Sequence, residues 1–292
     1  MFKKLIKYDL TSVWRLWWII LLTLPCATVV GSLAIRFAIG SSFSSNIVDV
    51  VVTTLATLLG IACFLVIVVA GALTAVLVYI RFYKNLFSDE GYLTFTLPVS
   101  RRSILLAKTL NAFIWFSLYG VLVFICICIA AIVIPPVDPG QGIFNPIVYE
   151  EAGSALSDSF GPFITDLLKL IVWVIIYITE IILLSAVSLL LSINTVHFCI
   201  TLGAAVAKKA KVLTAIGVYY GINVLSSLGQ QIPSMVFSLG MADEISSYIA
   251  GSSLQPGVIA LILFIIILMI AAVAAIFYCL TQWLIDRKLN LA

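Results

Sequence analysis

A single histidine, His197, serves the whole 292-residue chain. This scarcity excludes HExxH and multi-histidine metal centres, and any Ser/His/Asp arrangement would have to be built on that one residue. No GxxxxGK[ST] loop occurs either. The nearest approach, LGAAVAKKAK around Lys208, lacks the second glycine and the hydroxyl residue, so the chain has no recognisable nucleotide site of its own. Charge is scarce throughout: 10% of residues are Asp, Glu, Lys or Arg, against about 25% in a soluble domain. With 63% hydrophobic residues and a mean hydropathy of +1.23, a soluble fold is excluded and a polytopic membrane protein is expected. The alternating short-strand pattern of a membrane barrel is missing, so the spans are helical.

Cysteine is present but carries no chemistry. No pair has CxxC spacing, and Cys26, Cys63, Cys126, Cys128, Cys199 and Cys279 all fall in or beside apolar runs. Cys126 and Cys128 stand about 200° apart on a helix and cannot share a metal. All six read as small buried hydrophobes. One acidic residue, Glu180, lies deep in an apolar run, so an aspartate-dyad mechanism is excluded too. The chain is not expected to be an enzyme.

Six spans can be placed, at about Trp17–Ile39, Val48–Ile80, Ile104–Ile134, Leu167–Asn194, Val212–Leu239 and Val258–Ile285. Of sixteen Lys and Arg residues, all but Arg36 and Lys169 fall on one side of this arrangement. By the positive-inside rule both termini are cytoplasmic. The first apolar run is longer than a signal h-region, so span one is expected to remain as an anchor. The expectation is therefore an all-α integral membrane protein with one transmembrane domain over residues 1–292.

Four connecting segments add detail. Residues 1–16, MFKKLIKYDLTSVWRL, place Phe2, Leu5, Ile6, Leu10 and Val13 on one arc, as an interfacial elbow helix would. Asp9 breaks that arc, and either a nearby cation or a protein partner would answer it. The segment 135–166 is rich in Pro and Gly, acidic, and without a single Lys or Arg; it reads as an extracellular loop. The connection 240–257 is extracellular or re-entrant. The fourth segment, 81–103, is a polar island between two long apolar runs, studded with aromatics.

Two groups of polar residues lie within the spans. Glu180 shares a helical stripe with Trp173 and Tyr177. An ionised carboxylate at that depth costs about 2.5–3.5 kcal/mol, so it either lines a pathway or stays protonated against a neighbouring helix. In span five, Asn223, Ser226, Ser227, Gln230 and Gln231 make a polar face beside Gly217, Gly221 and Gly229. A translocation surface and a helix–helix interface fit this face equally.

The stretch RFYKNLFSDEGYLTFTLPVSRRSILLAKTLNAFIW resembles a signature of bacterial type 2 family ABC exporter permeases, especially those of Gram-positive bacteria. The pattern D-E-G-Y-L-T-x-T-L-P-V-S is met here by Asp89 to Ser100, and LIKYDL at Leu5–Leu10 is similar to that family's N-terminus. The resemblance implies a membrane subunit without a cofactor of its own, in the bacterial cytoplasmic membrane. It implies separate ATPase subunits carrying ATP and magnesium, a second permease protomer (identical or not), and export of a peptide, drug or lipid-like substrate. Lipid is the other expected contact, and no nucleic-acid partner is expected.

It further implies that 81–103 is a cytoplasmic coupling segment seated on the ATPase. Read for that role, Phe87, Tyr92, Leu93 and Phe95 are anchors. Ser88 caps a turn, with Asp89 and Glu90 at its positive end. A solvated loop with aromatics in the headgroup belt is the plainer alternative. Two other functions compete: a secondary transporter coupled through Glu180, and a non-transporting sensor or scaffold subunit.

Overall fold

The computed structural model describes residues 2–41, 47–88, 91, 100–134, 160–207, 210–240 and 256–288. They form six long helices: α1 (Phe2–Ser41), α2 (Ile47–Phe87), α3 (Arg101–Val133), α4 (Phe160–Val206), α5 (Lys211–Gly240) and α6 (Pro256–Lys288). No strand occurs among the described residues. Each helix contains a stretch long and apolar enough to cross a membrane, and large apolar side chains lie exposed along all six. Water would penalise such surfaces, whereas lipid accepts them. The chain is a multi-pass, all-helical membrane protein.

All six expected spans are present, but several helices outrun them. The elbow proposed for residues 1–16 is not a separate element, because α1 runs unbroken through it. No Gly or Pro interrupts the chain before Pro25, so nothing there stops the helix. Helix α2 continues past Ile80 through Phe87, for 41 residues, or about 62 Å. That is about twice the hydrocarbon thickness of a bilayer. Helix α4 begins at Phe160, within the stretch read as loop, and continues past Asn194 to Val206. Most of that loop, and the 241–255 connection, lie outside the described residues.

The chain divides into two compact units. The first combines α1, α2 up to Ile80 and α3 from Ile114. Small residues set its helix contacts. A Cβ added at Gly31 would lie 2.7 Å from the Cβ of Cys63, which leaves no room for a side chain. The Tyr119 hydroxyl donates to the Ile67 carbonyl at 2.7 Å and lies directly over Gly71. Trp115 packs on Trp17 at 5.2 Å and on Trp14 at 6.1 Å between ring centroids. Arg36, unexplained by the charge pattern, donates to the Val133 carbonyl at 3.4 Å. It thereby meets the negative end of α3.

The second unit holds the end of α2 from Arg81, α3 up to Phe113, α4 from Lys169, and helices α5 and α6. Buried Asn194 donates from Nδ2 to the Ala274 carbonyl at 3.1 Å, joining α4 to α6. At the α4–α5 corner a Cβ on Gly203 would stand 2.7 Å from the backbone nitrogen of Ala215. A glycine is needed there because backbone meets backbone. Arg101 donates to the carbonyls of Ile285 and Asp286, capping α6 as Arg36 caps α3.

One expectation, that all the cysteines are buried, needs correction. Cys126 and Cys199 are buried, but Cys26, Cys128 and Cys279 are exposed and all six are free. A thiol is small and apolar enough to face lipid as readily as a core. Asp9, which broke the apolar arc, is buried. A carboxylate in that position requires a polar answer from the protein itself rather than water.

Candidate functional site

The segment 81–103 starts from an unusually well-packed root. Phe82, Leu86, Leu105 and Ile285 form one buried cluster, with Phe87, Ile200 and Tyr278 packed against it. Four helices of the second unit thus meet where the segment leaves α2. His197 completes the arrangement: it is buried, and its imidazole stacks on the Phe82 ring at 3.8 Å and 10°. The lone histidine is a packing element at this root. Its position on α4 one turn past Asn194 follows from the helix running on beyond the expected span.

Helix α2 ends by local hydrogen bonding. The Ser88 hydroxyl donates back to the Lys84 carbonyl, and the Ser88 carbonyl accepts from the Gly91 N–H at 2.8 Å. Ser88 therefore closes α2 with its hydroxyl and opens the next turn with its carbonyl. The back-bond to Lys84 arises because α2 extends to this point and its last carbonyls need donors, while Asp89 and Glu90, the acids of the expected capped turn, lie outside the described residues. Gly91 is buried against the chain it has just left: a Cβ there would lie 2.6 Å from the Leu86 carbonyl oxygen. Attention to acids and aromatics passed over this glycine, although it stands inside the signature.

Of the residues read as docking anchors, Phe87 is partly buried and turned into its own chain. Its ring lies 6.2 Å from Phe82 and 6.0 Å from Tyr83 between centroids. Asp89, Glu90, Tyr92, Leu93 and Phe95 lie outside the described residues.

The intramembrane candidates separate into two sets. On α4, Trp173 and Tyr177 lie 6.3 Å apart between ring centroids, and Glu180 follows on the same stripe. The Glu180 Oε2 is buried and no described group donates to it. The flanking positions Ile178, Ile181 and Ile182 are exposed. On α5, Asn223 and Ser227 are exposed and bond within their own helix, to the Tyr219 and Val224 carbonyls at 2.8 Å. Gln231 is also exposed, and the Gln230 side chain lies outside the described set. Around Gly217 and Gly221 an added Cβ would meet nothing within 4 Å. The α5 face is consequently open.

No group of three or more His, Cys, Asp or Glu residues among those described could hold a metal ion. No protein-family model matches this chain, and neither a curated protein nor a solved structure matches it.

Proposed function

We propose that this chain is the membrane-spanning subunit of an ATP-driven exporter of the type 2 ABC class. It works as a dimer in a bacterial cytoplasmic membrane with both termini cytoplasmic, and a separate ATPase seats against residues 81–103. The carrying observation is the Asp89–Ser100 signature rising from the root built on Phe82, Leu86, Leu105 and Ile285. A coupling element must transmit force without yielding, and a close-packed root provides that stiffness. The charge segregation supports the topology. The open α5 face, with small and polar residues together, supports a second protomer there, since intramembrane polar groups favour protein or water over lipid. ATP and magnesium belong to the ATPase, and an amphipathic peptide, drug or lipid is the substrate class.

A second reading has one observation in its favour: the Glu180 Oε2, which no described donor answers. A secondary transporter would use such a carboxylate as its coupling site. One reconstitution distinguishes the two. The full chain is co-expressed with any P-loop ATPase that an adjacent reading frame encodes, with Asp89, Glu90 and Tyr92 intact or all replaced by Ala. Loss of at least tenfold in co-purified ATPase is expected of the triple variant. Undiminished association, or proton-driven export by the chain alone that Glu180→Gln abolishes, would overturn the ABC reading.

A further inference from the structure

We propose that a groove between the start of α3 and the end of α6 binds the phosphate of an anionic phospholipid. The groove measures about 390 Å³ and is lined by Arg102, Ser103, Leu106, Tyr278 and Gln282, all within the second unit. Arg102 is exposed, and among the described residues none accepts a hydrogen bond from its guanidinium. Tyr278 and Gln282 add a phenol and an amide able to donate to phosphate oxygens, while the Ser103 hydroxyl is shared with Ser100 at 2.8 Å. Guanidinium and phosphate are the best-matched pair among these groups.

The surroundings select lipid over a soluble anion. Leu106, 43% exposed, lies one turn along α3 from Arg102, where the helix turns apolar. Further round α6 the surface is apolar as well, in a hollow lined by Ala275, Ile276, Cys279, Leu280 and Trp283. A headgroup held by Arg102 would thus have Leu106, which lines the same groove, as apolar surface for its acyl chains. The local charge is positive, since Arg101, Arg102 and Arg287 outnumber Asp286. Arg101 is engaged with the α6 carbonyls and Arg287 lies 5.3 Å over the Trp283 ring. Arg102 is left as the cation the groove itself contributes. None of this depends on the chain having an ATPase partner.

Native mass spectrometry of the full chain in neutral detergent tests the proposal. The chain is titrated with phosphatidylglycerol, with phosphatidylcholine, and with phosphatidylglycerol in the presence of inorganic phosphate. The wild type should prefer phosphatidylglycerol. Arg102→Gln should weaken it by about fivefold, the effect of one interfacial cation, and should abolish the preference while leaving the melting temperature unchanged. Arg287→Gln, the control, should change affinity less than about twofold. Equal affinity for both lipids in the wild type, equal losses in the two variants, or an unaltered Arg102→Gln would each overturn the proposal. Displacement of the lipid by millimolar phosphate would assign the groove to a free anion instead.

Discussion

Within the second unit, the middle and the far end of α4 lead opposite lives. Around His197 the helix is buried, with the imidazole stacked on Phe82 and Ile200 packed against the cluster of Phe82, Leu86, Leu105 and Ile285. Around Glu180, less than five turns earlier, its aliphatic side chains are exposed and the buried Oε2 of Glu180 has no described donor. The packed end is complete within one chain. The middle is incomplete, and lipid, water or another subunit must finish it. A membrane helix can be rigid where it must hold a connection and open where it must meet something else.

The contrast breaks most visibly at the packed end. Phe82→Ala removes the ring shared by the cluster and by His197. It should cost about 3–5 kcal/mol, read as a large loss of melting temperature in detergent, while His197→Phe restores a stacking surface and should cost far less. If Phe82→Ala melts like the wild type, this end is not the anchor described here. Gly91→Ala is the next test. A methyl group 2.6 Å from the Leu86 carbonyl forces backbone to move, at about 1–3 kcal/mol. If the proposed ATPase seat is there, association with that subunit should fall with it; a fully stable Gly91→Ala variant would show that the turn is permissive.

The smallest expected change in monomer stability is at the open middle. Glu180→Leu discards no hydrogen bond seen within the chain, so its melting temperature should shift by less than the equivalent of about 1 kcal/mol. In the proposed dimer, the affinity between protomers is where the substitution should register. If a second protomer donates to Glu180, the loss of one interhelical hydrogen bond of about 1–2 kcal/mol weakens association about tenfold. Sedimentation in detergent measures this directly, and an unaltered dimer would remove Glu180 from the interface.

Much of this architecture was legible in the residues. Runs of about twenty apolar side chains can only be helices in lipid, because unpaired backbone groups are too costly there. Glu180 stood out for the same reason, as did the polar face of span five. Helix ends were less legible, since hydropathy reports where lipid begins and not where hydrogen bonding stops. Helices α2 and α4 both ran past their apolar limits for that reason.

By itself, the sequence determined the class, the six spans and the segregation of charge, all of which follow from the solvation of individual side chains and of the peptide backbone. Only tertiary structure decided which residues serve the fold. Phe87 turned inward, Ser88 closed a helix, His197 became a stacking partner, and Arg36 and Arg101 found carbonyls far away in sequence. The contacts of His197, Arg36 and Arg101 join distant segments, and no local pattern of residues encodes which neighbour those side chains will meet; Ser88 and Phe87 instead take partners within five residues, and their roles follow from α2 running on past its apolar stretch.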